Sequence, residues 1–243
     1  MFFVTSENVP EGVGFQTFGP THLIWLLCGI LFCIAACICF RKLSEKKQKL
    51  VLKLLGSYIF LQEMAKNLVL IILGEFSWGY LPFHLCGINI LLILFDVFKQ
   101  VKTVRSFLYY FAIPGAALAL LFPNWTSMPV WNFFHIHSFT IHFLLVLYPL
   151  LLVTTGQAST SLKDAFRGVA LLVTVAIPVY GLNLLWDTNF MFLMEPDSGN
   201  PLELFEKLLG SHLWGFPILL PVVIFIMYIP ILVIKKLDKN KSF

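Results

Sequence analysis

Cys86 ends the stretch Leu81-Pro82-Phe83-His84-Leu85-Cys86, and six histidines are spread through an otherwise apolar chain. A thiol becomes a strong nucleophile once a base takes its proton, and imidazole is the side chain whose unperturbed proton affinity suits that task near neutral pH. His84 is close in sequence, but two helical steps place it about 200° around from Cys86, so within one helix it is no direct base. Asn89, three residues on, shares the face of Cys86 and is placed to donate to a developing oxyanion or to orient a histidine. The base must come from another segment. Phe134-His135-Ile136-His137-Ser138-Phe139-Thr140-Ile141-His142 offers three imidazoles. His135 and His142, seven apart, share a face with Ser138, whereas His137 points elsewhere. Either His137 or His142 is the candidate base.

Two further polar groups accompany them. Gln62, Glu63, Lys66 and Asn67 interrupt an apolar stretch, and Glu63 and Lys66, three apart, are neighbours on one helical face able to neutralise each other. Tyr180, Asn183 and Asp187 follow Pro178 at spacings that align them along one face. His84, Asn183, Asp187, Glu63, Lys66 and Tyr180 are therefore the candidate substrate-binding residues. His22 and His212, each at the edge of an apolar stretch, read as packing residues. Cys28, Cys33, Cys37 and Cys39 crowd one apolar run with no zinc-ligand spacing, and there they pack as small hydrophobes.

The elements that must position these groups follow from composition. The chain is 58% hydrophobic, 16% aromatic and 12% charged, against about 25% charged in an ordinary soluble domain. Such a mixture cannot clothe a water-soluble surface. Seven stretches are long enough to cross hydrocarbon as helices: His22 to Phe40, Leu50 to Leu73, Tyr80 to Phe98, Val104 to Phe122, Trp131 to Thr155, Ala165 to Trp186 and His212 to Ile234. The fold class expected is all-α: one integral membrane domain over residues 1–243, a seven-helix multi-pass bundle in the cell membrane. Met1 to Phe15 has neither a basic residue nor an apolar core, so no signal peptide is expected.

Charge sets the orientation. Fifteen of the 17 Lys and Arg fall in Arg41–Lys53, Lys99–Arg105, Lys163–Arg167 and the tail from Lys235, all on one side of the expected bundle. By the positive-inside rule that side is cytoplasmic, so the amino terminus is outside and the carboxyl terminus inside. The opposite side holds Glu7, Glu11, Glu75, Asp187, Glu195, Asp197, Glu203 and Glu206 against a single Lys207. The net charge of +4 is thus a topology signal. It calls for no nucleic-acid partner. The candidate site then lies in the outer half of the bilayer, at the depth of lipid esters. No internal repeat is visible.

The longest outer connection, Asp187 to Ser211, begins with the apolar Asn189-Phe190-Met191-Phe192-Leu193-Met194, which suits a dip into the interface. Asn200-Pro201-Leu202-Glu203 then reads as a helix start, with a cap, a proline at the first position and an acid favouring the amino end. Leu202, Leu204, Phe205, Leu208 and Leu209 give that helix an apolar face for the membrane surface.

Phe18-Gly19-Pro20-Thr21-His22-Leu23, Leu81-Pro82-Phe83-His84-Leu85-Cys86, His137-Ser138 with His142, and Asn183 with Thr188-Asn189-Phe190-Met191-Phe192-Leu193 together resemble the bacterial YwaF-type integral membrane family, itself similar to the eukaryotic transmembrane protein 164 acyltransferases. The resemblance spans nearly the whole chain. It implies a polytopic enzyme in which a cysteine takes an acyl chain from a phospholipid and passes it to a lysophospholipid. Carried onto this sequence, the nucleophile is Cys86 and the base His142, with His137 as the neighbouring candidate. Membrane phospholipids and lysophospholipids are the expected partners, with no cofactor and no metal.

Other chemistries use the same residues. A seven-helix zinc hydrolase would take several of His84, His135, His137 and His142 with Asp187 as ligands. A transporter would use Glu63, Lys66 and the histidines as a proton path, and a lipid sensor would only bind.

Overall fold

The computed structural model describes residues 1–196 and 201–240, with side chains through 232. The described residues form helices and turns, with no strand among them. In chain order the helices are α1 (Pro20–Arg41), α2 (Glu45–Leu73), α3 (Leu85–Lys99), α4 (Lys102–Phe107), α5 (Ile113–Leu121), α6 (Phe133–Thr154), α7 (Leu162–Trp186), α8 (Pro201–Leu209) and α9 (Gly215–Asn240). A π-helical stretch, Leu108–Ala112, joins α4 to α5. Among the described residues six stretches are long and apolar enough to cross a membrane: Pro20–Arg41, Glu45–Leu73, Lys102–Leu121, Phe133–Thr154, Leu162–Trp186 and His212–Leu232.

The stretch expected to cross as Tyr80 to Phe98 departs from the others. Its helix, α3, starts at Leu85 and has 15 residues, about 22 Å of rise. Pro82 would suit an early helical position, but the helix begins three residues after it. Trp78–Tyr80 make a single 3-10 turn, and Leu81 and His84 are extended, with ψ near 151° and 159°. A residue before proline is pushed out of the helical region, so the helix cannot begin until the chain has passed Pro82. Cys86 consequently lies in the first turn of α3. Other ends shift by a few residues: α6 starts at Phe133, α7 at Leu162, and α9 runs to Asn240.

The α6 helix is the axis of the bundle and packs against α1, α2, α3 and α5. It begins where it does because Asn132 caps it: Oδ1 accepts from the amides of Phe134 at 2.8 Å and His135 at 3.3 Å. The same side-chain amide donates to the carbonyls of Met1 (3.1 Å) and Val4 (2.7 Å), and Phe133 N donates to Phe2 O at 2.7 Å. The amino-terminal segment is thereby tied across the start of α6. Phe15 N to Thr126 O (2.8 Å), Asn8 to Glu75 (2.9 Å) and Thr5 to Glu75 fasten the rest of it. On the periphery, α1 and α7 leave Leu27, Leu31, Ile177 and Leu185 exposed, as does α9 at Phe225. Apolar faces of that extent suit hydrocarbon and not water.

Acidic and basic connections gather at opposite ends of the bundle. At the basic end, Arg105 Nε donates to Asp96 at 2.9 and 3.0 Å, Tyr148 Oη donates to the same carboxylate at 3.0 Å, and Gln157 donates to Gln48 at 3.1 Å. Asp96, Arg105 and Tyr148 are all buried. A buried carboxylate is costly unless it is paired and its lone pairs are satisfied, and here they are. At the acidic end, α8 forms as expected, with Leu202 buried, Leu204 and Leu208 exposed, and Lys207 donating to Glu203 at 2.6 Å. Asp197 and the helix cap expected at Asn200 lie outside the described residues. The apolar segment before it turns inward, with Phe190 and Met191 buried. The four cysteines of α1 form no disulfide. His22 is fully buried and satisfied, accepting from Phe18 N at 2.8 Å and donating to Leu120 O at 2.7 Å, which fits its reading as a packing residue.

Candidate functional site

The turn that delays α3 also places Cys86. Gly74 ends α2 in the left-handed conformation, φ 72°, and the chain returns along the bundle through residues 75 to 84. Trp78 stacks on Trp186 at 5.3 Å, and Phe83 packs against Trp186 and Phe190. Gly87 allows this path, because a Cβ there would lie 2.5 Å from Pro82 Cα. Glu63 sits ten residues before the end of α2, about 15 Å of rise, and its charge reaches Cys86. Cys86 is half-buried. It packs beside the main core cluster.

The first amides of a helix lack intrahelical acceptors. In α3 the His84 carbonyl is taken by Ile88 N at 2.9 Å, so the amides of Leu85, Cys86 and Gly87 have no carbonyl of α3 to receive them. Asn89, three residues after Cys86, is fully buried, and neither of its amide atoms has a partner among the described residues. Unpaired donors of this kind suit an anionic oxygen.

Two imidazoles of α6 approach from the other side. His142 Nδ1 lies 2.7 Å from Ser138 O. A carbonyl only accepts, so Nδ1 carries the proton and Nε2 is left with its lone pair, the tautomer a base needs. Trp125 stacks on this ring at 5.2 Å and 12°. His137 Nε2 is 3.7 Å from Glu63 Oε2, inside ion-pair range and beyond a hydrogen bond. Glu63 is buried and takes Lys66 Nζ on its other oxygen at 2.6 Å, the neutralisation expected from their spacing. Lys66 acts electrostatically on both imidazoles, and His142 on His137. Glu63, Lys66 and His137 are thus brought together by α2 and α6, with His142 further along α6 and Cys86 on α3, which packs against both helices. Neither His137 nor His142 hydrogen-bonds the Cys86 thiol among the described residues.

The remaining candidates are dispersed. His84 caps the start of α3; its Nδ1 accepts from Met191 N at 3.4 Å, and Phe190 and Phe192 pack on its ring. Asn183 is buried and committed to residues 188 to 190: Nδ2 donates to Phe190 O at 3.1 Å, while Oδ1 accepts from Phe190 N at 2.8 Å and Thr188 Oγ1 at 3.0 Å. Tyr180 and Asp187 are exposed, whereas Asn183 between them is buried. The α7 helix ends at Asp187 in the left-handed conformation. His135 is fully buried among Phe15, Trp25 and Phe139, away from the polar group. Among the described residues no three His, Cys, Asp or Glu side chains gather as metal ligands.

Trp125 is the neighbour of the candidate residues that residue spacing missed. It lies in a loop between apolar runs, and only the tertiary fold brings it to His142. Two open clefts, of about 400 and 540 Å³, lie at the acidic end beside Glu195 and Glu206 and beside Glu11 and Phe15; Cys86 lines neither.

No curated protein matches the chain, and no solved structure does. A family model does match, over residues 17–232, a span that takes in α1 through most of α9 and every candidate site residue. On that match the chain belongs to the TMEM164 family.

Proposed function

We propose that this protein is a membrane-embedded lipid-acyl transferase whose nucleophile is Cys86. The observation that carries the reading is that α3, which bears Cys86 in its first turn, packs against α2 and α6 where Glu63 and His137 face each other across 3.7 Å. Membership of the TMEM164 family supports a membrane enzyme of this kind. In this reading α3 is the seventh, shortest crossing, the amino terminus is outside, and the site occupies the outer half of the cell membrane, where lipid esters reside.

The chemistry is a two-step transfer. His142 Nε2 takes the Cys86 proton as sulfur attacks the ester carbonyl of a phospholipid, and the carbonyl oxygen becomes an oxyanion facing the amides of Leu85 to Gly87 and the side chain of Asn89. Collapse breaks the ester C–O bond. The imidazolium gives its proton to the departing lysophospholipid oxygen, leaving a thioester. A second lysophospholipid hydroxyl then attacks the thioester, its proton passing to His142, and the restored thiolate is reprotonated. Neither imidazole of α6 hydrogen-bonds the thiol at rest, so proton transfer requires one of them to be drawn closer when lipid binds. His84 lines the approach in this scheme and faces the polar head group.

The test is turnover by full-length protein in vesicles containing a phospholipid with an isotopically labelled acyl chain and an unlabelled lysophospholipid. Wild-type protein should yield labelled diacyl product and the Cys86→Ala variant none. Equal turnover by both would dispose of the reading. Labelled free fatty acid in place of diacyl product would make the reaction a hydrolysis.

A further inference from the structure

We propose that Glu63 is a positioning residue for acyl transfer, acting through His137 and Lys66 on the proton-accepting imidazole pair; the inference rests on the Cys86 reading above. Glu63 is 5% exposed within an apolar helix. A carboxylate at that depth is expensive to insert, by about 2.5 to 3.5 kcal/mol near mid-bilayer. An ion pair with Lys66 alone would be served as well by two apolar residues, because replacing a buried pair by hydrophobic groups is often neutral or stabilising. The geometry points to more than a pair. One oxygen is held by Lys66 at 2.6 Å, while the other faces His137 Nε2 across 3.7 Å. That Nε2 is buried and has no other partner among the described residues.

The groups facing Glu63 are Lys66 on its own helix, Cys86 on α3 and His137 on α6, with His142 beyond His137 and within reach of Lys66. When the Cys86 proton moves to an imidazole, positive charge appears beside Lys66, which repels it. Glu63 offsets both charges. It neutralises Lys66 beforehand, and a short approach turns the 3.7 Å contact into a hydrogen bond that fixes the His137 ring. The arrangement parallels a carboxylate orienting the histidine of a nucleophilic triad, here with a lysine as counter-charge. Glu63 touches neither lipid nor thiol in this scheme, so its effect is on the rate of proton transfer and not on lipid affinity.

The test uses the full chain in vesicles of phosphatidylcholine with lysophosphatidylcholine as acceptor, comparing wild type with Glu63→Gln, Glu63→Asp and the double variant Glu63→Gln/Lys66→Gln. The expected result is a kcat lower by about 100-fold in Glu63→Gln, the scale of a misplaced catalytic group, with KM within about two-fold. Glu63→Asp should recover part of the rate. The double variant, isosteric at Glu63 and uncharged, should fold as wild type yet stay slow. If it regains the wild-type rate, Glu63 serves only to balance Lys66 and the proposal falls. A raised KM with unchanged kcat would also overturn it, assigning Glu63 to lipid binding. Should Glu63→Gln fail to fold, the double variant decides the matter by the same readout. Wild-type protein lacking Cys86-dependent turnover would overturn the acyl-transfer reading and this inference together, whereas an active wild type with an equally active Glu63→Gln would overturn this inference alone.

Discussion

Asn183 grips Phe190 by both polar groups of its backbone, donating to the carbonyl at 3.1 Å and accepting from the amide at 2.8 Å. The next two residues, Met191 and Phe192, have φ of 58° and 56°, left-handed values that side chains with a Cβ rarely adopt. Such a conformation costs on the order of 1 to 3 kcal/mol per residue and persists only where its surroundings enforce it. The Asn183 grip and the burial of Phe190 against Phe83 and His84 supply that enforcement. The bend meets the start of α3 at His84, whose Nδ1 accepts from Met191 N at 3.4 Å.

Replacing Asn183 with alanine should release this bend. Two buried backbone groups would lose their partners, at about 1 to 3 kcal/mol each, and the strained turn would relax. The expected outcome is a lower thermal midpoint in detergent together with new protease cleavage between residues 188 and 193, while the helices keep their far-ultraviolet circular dichroism. Protection equal to wild type would mean that burial of Phe190 alone holds the segment.

The basic end carries a different dependence. Asp96 has Arg105 and Tyr148 as hydrogen-bond partners inside the bundle, so Arg105→Ala leaves a buried carboxylate without its cation. The expected loss is about 3 to 5 kcal/mol. Replacing both partners, Asp96→Leu with Arg105→Met, should cost much less, and unfolding by denaturant in mixed micelles would separate the two variants.

Gly87 supports the site by absence of a side chain. An alanine Cβ would meet Pro82 Cα at 2.5 Å, and backbone cannot yield as a flexible side chain can. Gly87→Ala should displace the turn that carries Pro82 and His84, cost about 1 to 3 kcal/mol, and reduce lipid turnover by more than its loss of stability explains. Measuring turnover per folded molecule would check it.

Much of this architecture was legible in the residues because hydrophobic length and charge sidedness are local properties. Six of the seven expected spans have their counterpart in helices long enough to cross, and the Glu63–Lys66 pair followed from i, i+3 spacing. The late start of α3 was not legible, since a proline after a polar turn is equally compatible with the first position of a helix and with a turn before it. Asp96 and Arg105 were hidden for another reason: one sits in an apolar run and the other among basic loop residues, and only packing reveals that they meet. Tyr180 shows the limit of the helical wheel, for its spacing from Asn183 places it near the buried face while the neighbouring helices leave it exposed. The candidate site was half visible, its side chains by type and Trp125 only by fold.

If Cys86 carries the acyl chain, the covalent intermediate can be trapped. Full-length protein in vesicles of labelled phospholipid, without lysophospholipid acceptor, is quenched in acid and its peptides are weighed by mass spectrometry. One acyl mass is expected on the peptide containing Cys86, removed by neutral hydroxylamine as a thioester is, and accumulating in His142→Ala far more slowly than in wild type. An acyl group on another residue, or full turnover with Cys86 never modified, would contradict a Cys86 nucleophile.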